Sequence, residues 1–485
     1  LCRYGRTGNE GARGVVRSPV LRGQSAWSGQ YDGGSCLALP IHLGEPFSFD
    51  QTLEQTGSHE TGTDKIRTRV AIVGAGLAGL TCAYRLTKDS PRTLRRCDLV
   101  LLERETCPGG RVRSLRVNDV VLNLGAVAFQ PEHYQSYMAL LVELGLDARV
   151  TSIPRRRMAF GYGEAVVCAD NLSLFRDVLC SAGGRGLFSV HEYLQLLRFY
   201  FFQHRITAPD RESAFMELHE ISVAEWARGF GFDETLQRKF VRPLTHYCFK
   251  GPEKVSAAFG VFLLAFNLGR PANLAGGFGQ LTDALASRLA DLLTIGVAVI
   301  RVERRLDGFC LTYRQSGAEK CLHAEHLVLA VPANVAATLM PEMRNKSAQV
   351  NYGDGKAMIV AGKLKQDVDL HMHVRVGNAG EVIYGGEVQQ DGAGRHFANV
   401  LTYTGDGAQE AVAAQFQDGR MEIITKYDMC PAVAAPQPGQ QPLPIEWGDG
   451  LFLAGDCTGL FPSQEAAVSS GEQVAGLLQG YLNHG

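Results

Sequence analysis

The stretch VAIVGAGLAGLTCAYRL, residues 70–86, indicates the fold of this part of the chain. A short apolar run, residues 70–73, meets three glycines and is followed at once by a helical pattern. Gly74, Gly76 and Gly79 have the spacing that lets a backbone approach a pyrophosphate at the N-terminus of a helix. The sequence therefore predicts a strand, a tight turn and a helix that together bind a dinucleotide.

The segment CDLVLLE, residues 97–103, predicts a second strand that ends in an acid. In a dinucleotide site the ribose hydroxyls need an acceptor at the end of this strand, and Glu103 stands there. A GxGxxG pattern alone is a weak signal, but here the strand, the helix and the acid agree. A dinucleotide site is therefore indicated, with NAD(P) and FAD both still open.

The residues after Glu103 favour FAD. RETCPGGRVRS, residues 104–114, and LNLGA, residues 122–126, resemble the extended fingerprint of the flavin-containing amine oxidase superfamily. That superfamily includes monoamine and polyamine oxidases, protoporphyrinogen oxidase and the phytoene desaturases. The resemblance implies that the GG-R segment wraps the pyrophosphate. The cofactor-binding residues that it implies here are Arg104, Gly109, Gly110, Arg111, Gly125 and Ala126.

A second patch, LFLAGDCTGLFPSQEAAVSSGEQVAGLL at residues 451–478, resembles the superfamily segment that closes over the flavin. The resemblance implies that Asp456, after Gly455, holds the ribityl or phosphate region of the cofactor. It also implies that a helix beginning near Glu465 and Ala466 faces the flavin with its N-terminus. Two matching half-sites so far apart in the chain favour FAD over NAD(P).

These motifs predict an α/β fold with two interleaved domains: a doubly wound, Rossmann-type FAD-binding domain and an α+β substrate domain of helices and an antiparallel sheet. The predicted segments are a disordered or non-native leader (1–66), the FAD-binding domain (67–130, 271–335 and 431–485), a mostly helical part of the substrate domain (131–270) and its sheet (336–430). Residues 297–302 and 326–332 read as buried parallel strands. The resemblance implies that the backbone of Val302 meets adenine.

Composition limits the possible partners and location. The formal net charge of −2 gives no reason to expect a nucleic acid. The 12 cysteines are scattered without a CxxC pair, which is typical of free thiols in a reducing compartment, so we expect a cytoplasmic protein. An organelle transit peptide in the Arg-rich start is the alternative. No apolar run reaches the roughly 18–20 residues that span a bilayer.

Two stretches allow two interpretations each. The apolar stretch LQLLRFYFF, residues 194–202, is interpreted as core or tunnel wall, and the alternative is a surface that contacts a membrane peripherally or admits a lipophilic substrate. In residues 363–376, His371 and His373 share one face of a predicted strand with charged neighbours. A solvated face is favoured over a metal site because no third ligand is evident, and we predict no metal.

One lysine is a candidate for the chemistry. The segment NYGDGKAMIV, residues 351–360, places Lys356 just before a predicted strand. The resemblance to amine oxidases implies that a lysine at this place holds a water at flavin N5 and assists reoxidation by O2. The alternative is a surface lysine at the start of a strand. Asn123 stands where the superfamily usually has an acid.

The sequence predicts an FAD-dependent oxidoreductase that removes hydrogen, as hydride to flavin N5, from a largely apolar small molecule, with O2 or another electron acceptor. The segment FVRPLTHYCF, residues 240–249, resembles the protoporphyrinogen oxidase and carotenoid desaturase branch, and the aromatic cage of amine oxidases is not recognisable. One alternative is oxidation of a C–N bond in an amine, supported mainly by Lys356. Another is a flavin-binding partner protein without turnover.

Overall fold

The computed structural model describes residues 66–484, with gaps at 90–97, 164, 183–185, 207–211, 269, 354, 366–369, 371, 378–382, 405–406 and 430. The predicted leader, 1–66, therefore lies outside the described residues except for Ile66, which is the first residue of a strand.

Two seven-stranded sheets organise the described chain. The first sheet consists of β1 (Ile66–Val73), β2 (Leu99–Leu102), β9 (Leu293–Thr294), β10 (Val297–Arg305), β11 (Gly308–Gln315), β12 (Ala318–Leu329) and β18 (Leu451–Leu453). Its order is β10-β11-β12-β1-β2-β9, with β18 beside the end of β12. Strands β12, β1, β2 and β9 are parallel neighbours, as a dinucleotide-binding sheet requires.

The second sheet has the order β17-β13-β16-β15-β14-β6-β7. Its strands are β6 (Met158–Tyr162), β7 (Ala165–Cys168), β13 (Gly355–Leu364), β14 (Met372–Val376), β15 (Ile383–Gln390), β16 (His396–Thr404) and β17 (Phe416–Met429). All neighbours are antiparallel except β14 and β6. Two strands, β6 and β7, thus come from the segment that was predicted to be mostly helical.

Two small strand pairs and the helices complete the fold. The pairs are β3 (Ser114–Val117) with β4 (Val120–Asn123) and β5 (Val150–Ser152) with β8 (Ala272–Leu274). The helices are α1 (Leu77–Asp89), α2 (Gln135–Glu143), α3 (Asn171–Ala182), α4 (Val190–Ile206), α5 (Glu212–His219), α6 (Val223–Phe230), α7 (Ala257–Leu268), α8 (Gly279–Arg288), α9 (Ala333–Leu339), α10 (Ala408–Ala413) and α11 (Gln464–His484). Single helical turns are Asp147–Arg149, Arg155–Arg157, Glu234–Leu236, Gln237–Val241, Arg242–Thr245, His246–Cys248, Pro252–Lys254, Pro341–Met343, Arg344–Ser347 and Asp456–Thr458.

Both faces of the first sheet are covered, which explains its uninterrupted apolar strands. On one side α1, α2, α8 and α11 form a continuous core with Val70 and Ile72, both fully buried. On the other side α9 and strands β10 and β11 cover Ala71 and Val73. The prediction for residues 326–332 is confirmed, since β12 is a parallel strand there. The prediction for 297–302 is wrong, because β10 is an antiparallel strand at the sheet edge.

The solvated face predicted around His373 is also wrong. His373 is 7% exposed, and its Nδ1 lies 2.9 Å from the carbonyl oxygen of Gly386. Its neighbours Val374 and Val376 are buried as well. Side chains alternate along β14, so His373 and Val374 lie on opposite faces, and because both are buried, both faces of this strand are covered. Asp367, Asp369 and His371 lie outside the described residues, and no cluster of three metal-ligating side chains occurs among those that are described.

Helix α4 contains the aromatic-rich stretch 194–202, and its two sides differ. Phe199 is fully buried against Trp226 and Phe232, as the core interpretation predicts. Leu194 and Phe201 are 60% and 61% exposed, so the core interpretation is wrong for them. None of the helices in the described ranges is long and apolar enough to cross a membrane.

Candidate cofactor site

The glycine turn between β1 and α1 is built by two kinds of glycine. Gly74 has φ +103°, and a methyl group on it would lie 2.4 Å from the carbonyl oxygen of Ala330. A methyl group on Gly79 would lie 2.0 Å from the carbonyl oxygen of Gly74. These two glycines are needed for the close packing of strand, turn and helix. Gly76 differs, because no heavy atom lies within 4 Å of the place its methyl group would take.

Glu103 joins the end of β2 to this turn. Its carboxylate accepts hydrogen bonds from the N–H of Ala75 at 2.7 Å and from the N–H of Glu105 at 2.9 Å, and the residue is 8% exposed. The next residue, Arg104, is exposed and pairs with Glu105 at 2.8 Å. The structure therefore brings Glu103 to the glycine turn and leaves Arg104 on the surface.

The GG-R segment lies directly on the glycine turn. The N–H of Gly109 donates to the carbonyl oxygen of Ala75 at 2.8 Å, and a methyl group on Gly110 would lie 3.2 Å from Cα of Gly76. Both glycines have positive φ, +110° and +56°. The open space beside Gly76 is thus bordered by a helix N-terminus and a second glycine loop. Such a cradle suits a pyrophosphate.

Arg111 and Asp456 connect the two predicted half-sites. Their side chains form two hydrogen bonds of 2.8 Å across 345 residues, and Nη1 of Arg111 also donates to the carbonyl oxygen of Ala432 at 2.8 Å. Burial disfavours the charged guanidinium, but the carboxylate of Asp456 outweighs it and raises the pKa of Arg111. The bidentate pair fixes the C-terminal patch against the GG-R loop.

The backbone around this pair is equally close-packed. The N–H of Ala126 donates to the carbonyl oxygen of Arg111 at 3.3 Å, and a methyl group on Gly125 would lie 2.1 Å from that oxygen. On the other side, the N–H of Gly455 donates to Oγ of Ser470 at 2.9 Å. Gly125, Ala126 and Asp456 therefore contact Arg111, and Gly455 precedes Asp456 in the chain.

The N-terminus of α11 is capped by a residue that the sequence analysis did not name. Oγ of Ser463 accepts from the N–H of Ala466 at 3.2 Å, a serine cap that the N-cap rule would have found. Glu465 has a different role, because its carboxylate accepts from the N–H groups of Ser136 and Tyr137 at 2.9 and 2.8 Å. It caps α2, and the structure does not direct it into the cofactor site.

Val302 is not brought to the other predicted residues. It pairs with Leu311 in β11, and its side chain is buried in the core under α9. The start of β10 is the part of the strand that reaches Glu103. The N–H of Val297 donates to the carbonyl oxygen of Glu103 at 2.8 Å, and the N–H of Gly296 donates to the carbonyl oxygen of Glu105 at 3.0 Å. At about 3.3 Å per residue, Val302 lies roughly 16 Å further along the strand.

Lys356 lies on the side of β13 that faces away from the cofactor site. It is exposed and pairs with Thr402 and Asp428. Its neighbour Ala357 is buried and pairs with Tyr427, whose hydroxyl donates to the carbonyl oxygen of Leu124, next to Gly125. Because side chains alternate along a strand, Ala357 takes the site-facing position and Lys356 the opposite one.

A buried polar network, which the sequence analysis missed, joins the second sheet to β4. Glu387 is fully buried, and its carboxylate accepts from the backbone N–H of Asn123 at 3.1 Å and from its side-chain amide at 3.3 Å. The amide of Asn399 donates to the carbonyl oxygen of Asn123, and Tyr427 donates to Oδ1 of Asn399 at 2.9 Å. An acid at position 123 would face the carboxylate of Glu387, which explains the asparagine.

The arrangement fits FAD. An open cradle at Gly76 can take the pyrophosphate, Glu103 lies at the end of β2 beside it, and Asp456 and the N-terminus of α11 lie at the other end. The helix macrodipole favours negative charge at that N-terminus. Four of the predicted positions lie apart from this group, namely Arg104, Val302, Lys356 and Glu465.

Comparisons with known proteins agree with this arrangement. The sequence model of the family described as flavin containing amine oxidoreductase matches residues 77–364. AofH of Mycobacterium tuberculosis, described as a flavin-containing monoamine oxidase, is 26% identical over 281 residues, which are 54% of this chain and 56% of that protein. Coproporphyrinogen III oxidase of Staphylococcus aureus is 35% identical over 78 residues, 16% of this chain and 15% of that protein. The chain thus spans about half or less of these relatives' length.

Solved structures show the same fold at low identity. Putrescine oxidase bound to putrescine has a TM-score of 0.61 and 15% identity, covering 86% of this chain and 100% of that chain. Cyclohexylamine oxidase from Brevibacterium oxydans has a TM-score of 0.61 and 16% identity, covering 86% and 99%. A fatty acid isomerase from P. acnes has a TM-score of 0.60 and 16% identity, covering 85% and 98%. The predicted fold class is confirmed.

Proposed function

The chain belongs to the flavin-containing amine oxidoreductase family and is an FAD-dependent oxidoreductase, and we propose that it dehydrogenates the carbon skeleton of a largely apolar small molecule. Bound FAD supplies the hydride acceptor, N5, and the protein's part is to orient the substrate and exclude water. In this proposal the glycine cradle and Glu103 hold the nucleotide, and Arg111 with Asp456 fixes the patch that closes over the flavin.

The observation that carries this proposal is an aromatic stack formed by Phe461, which belongs to the same C-terminal patch (residues 451–478) as Asp456. Phe461 stacks on Phe262 of α7 with ring centroids 5.2 Å apart and 27° between the planes. Phe259 stacks on both at 6.3 Å. Phe262 and Phe461 are partly exposed, so they present an apolar surface next to the C-terminal patch.

This stack does not have the spacing of a cage around an amine. Two rings that hold a substrate group between them need about 7 Å or more, which is two van der Waals contacts. Phe262 and Phe461 contact each other instead and leave no such gap. The position of Lys356, exposed on the far side of β13, also removes the main support for the amine alternative. An apolar wall favours an apolar substrate.

Oxidation of a C–N bond in an amine remains the second candidate. The similarity to AofH over 281 residues favours it, because that relative is described as a monoamine oxidase. For either substrate we propose O2 or another small electron acceptor. We also propose a reducing, cytoplasmic location, since all of the cysteines within the described ranges are free thiols.

Anaerobic reduction of the purified holoprotein tests the proposal. We expect the oxidised-flavin absorbance band to bleach with apolar compounds such as porphyrinogens, polyenes or fatty acids, and to persist with a panel of primary amines and polyamines. Peroxide with ammonia or an aldehyde from an amine would overturn the apolar assignment. Bound flavin that no compound of either panel reduces would support a binding protein without turnover instead.

Two variants at Phe461 test whether the aromatic stack contacts the substrate. Phe461→Asn places a polar group in the apolar wall and should lower kcat/KM for the apolar substrate by about 5- to 150-fold, since burying an unpaired amide costs about 1–3 kcal/mol. Phe461→Leu is the matched control and should retain most activity. The flavin content of both variants should equal that of the wild type. Equal activity of Phe461→Asn and wild type would remove the stack from the substrate site.

A further inference from the structure

Helices α3 and α4 carry an exposed apolar patch. It consists of Leu172, Phe175 and Leu179 on α3 and Val190, Leu194, Leu197 and Phe201 on α4, all between 46% and 61% exposed. Within each helix the members are three or four residues apart, so they form one stripe per helix. The two helices pack on each other, and the stripes therefore belong to one region of the surface.

The two helices that carry the patch are fixed in the fold, because the sides opposite the patch make hydrogen bonds and core contacts. Asp177 of α3 accepts hydrogen bonds from the N–H of Leu187 at 2.8 Å and from the hydroxyl of Tyr193 at 2.7 Å. On α4, Phe199 is fully buried among aromatic rings of the helical core. The apolar stripes thus face outward although the inner sides of the same helices are well packed. A large exposed apolar patch on a fixed scaffold indicates an interaction surface.

The exposed charges around the patch indicate the charge of its binding partner. Arg176 and Arg198 are exposed on the same two helices. The three acids at 170–202 are all engaged within the protein. Asp170 and Asp177 accept backbone N–H bonds, and Glu192 is 2% exposed and pairs with Lys239 at 3.1 Å. The exposed charges among the described residues of α3 and α4 are therefore basic, and Glu225 of α6 is the exposed acid that lines a groove with Arg198 and Phe201 at one edge of the patch.

We propose that this patch docks on an anionic phospholipid bilayer, with its aliphatic and aromatic side chains at the boundary between headgroups and acyl chains. Helices that carry exposed apolar side chains and arginines, with no exposed acid on the same helices, have the pattern of interfacial helices. A second copy of the chain is the less suitable occupant. In a two-fold interface the same patch meets itself, which would bring the exposed arginines of both copies, Arg176 and Arg198, into one apolar interface. The proposal is independent of the substrate.

Flotation of the full-length holoprotein with vesicles tests the proposal. We expect binding to vesicles of phosphatidylcholine with phosphatidylglycerol, and weaker binding to phosphatidylcholine alone. Leu194→Glu with Phe201→Glu should reduce binding to the anionic vesicles at least about tenfold. Arg176→Gln with Arg198→Gln should reduce binding to anionic vesicles selectively, by several-fold, and lower its dependence on salt.

Leu306→Glu is the matched control. Leu306 is fully exposed in the turn between β10 and β11, away from α3 and α4, and its variant should bind vesicles like the wild type. The flavin absorbance and the melting temperature show whether each variant is folded. The proposal is overturned if the folded wild type stays unbound with both vesicle types. It is also overturned if the patch variants bind as well as the wild type, or if they instead convert a dimer into a monomer.

Discussion

The two ends of the cofactor site are held by different groups. At the nucleotide end every contact involves backbone atoms, either on both sides, as for the N–H of Gly109 with the carbonyl oxygen of Ala75, or on one side, as for the N–H of Ala75 with the carboxylate of Glu103. At the flavin end they are between side chains from distant parts of the chain, namely Arg111 with Asp456 and Asn123 with Glu387. Backbone packing requires glycine at fixed spacing, whereas side-chain pairing requires a particular register between strands. The two ends should therefore respond differently to substitution.

The largest effect is expected from Gly79→Ala. The added methyl group would lie 2.0 Å from the carbonyl oxygen of Gly74, so strand and helix must move apart. We expect a loss of about 3 kcal/mol or more in the free energy of unfolding. Gly76→Ala is the contrasting variant, because its methyl group meets open space. It should change the stability of the apoprotein by less than about 0.5 kcal/mol.

Titration with FAD then separates the two glycine variants. If the pyrophosphate occupies the space beside Gly76, Gly76→Ala should weaken FAD binding at least about tenfold, or about 1.4 kcal/mol. Urea unfolding of the apoproteins supplies the stability values. Tight FAD binding by Gly76→Ala would place the pyrophosphate elsewhere.

The stability of the second sheet should depend on pH through His373. Burial, reinforced by the charge of Arg375, lowers the pKa of His373 to about 4 from its ordinary 6.5. Because the folded state takes up this proton less readily than the unfolded state, the stabilisation is fully present above pH 6.5. It is lost progressively as the pH falls from 6.5 to about 4, by about 3 kcal/mol in total.

Urea unfolding at several pH values compares the wild type with His373→Gln. The glutamine amide can keep the hydrogen bond to the carbonyl oxygen of Gly386 but does not titrate in this range. The variant should therefore lose less stability than the wild type between pH 6.5 and 4. Parallel curves for the two proteins would show that His373 is not buried in its neutral form.

An intermediate effect is expected at the flavin end from Asn123→Asp. The new carboxylate would face that of Glu387, which is fully buried, and should lower the free energy of unfolding by about 2 kcal/mol. The double variant with Glu387→Gln restores an amide opposite a carboxylate and should recover more than half of this loss. A double-mutant cycle measures the coupling. Additive effects of the two substitutions would mean that the side chains do not interact.

The difference between the two ends also explains what the sequence could predict. Glycine spacing reports local backbone geometry, so Gly74, Gly79 and Gly109 could be assigned correctly to a turn and a loop. The pairing of Glu387 with Asn123 depends on how β15 and β4 meet across 264 residues. No local sequence pattern predicts how β15 and β4 are aligned with each other. The same holds for His373, whose burial follows from what packs on both faces of β14 in the folded chain.

Two site predictions depended on choosing a contact point or a strand face, and the structure places both residues away from the other site residues. The adenine contact was predicted at Val302, but the strand reaches the site at Val297, because β10 continues past it as an edge strand. The catalytic lysine was predicted by its place before a strand, but the strand includes Lys356 and its pleat turns the side chain away. A shift of one residue along a strand moves a side chain to the opposite face.

The smallest effect is therefore expected from Lys356→Met. The lysine is exposed and lies opposite the face on which Tyr427 and Leu124 meet, so its removal should leave the rate of flavin reoxidation by O2 within about twofold. Stability should change by less than about 0.5 kcal/mol. Ala357→Lys is the contrasting variant, because it directs a cation towards the cofactor site and should change the rate of reoxidation or the stability. Stopped-flow mixing of the reduced enzymes with O2 measures the reoxidation rates of both variants. A tenfold slower reoxidation of Lys356→Met, with Ala357→Lys unchanged, would mean that β13 presents its other face to the flavin.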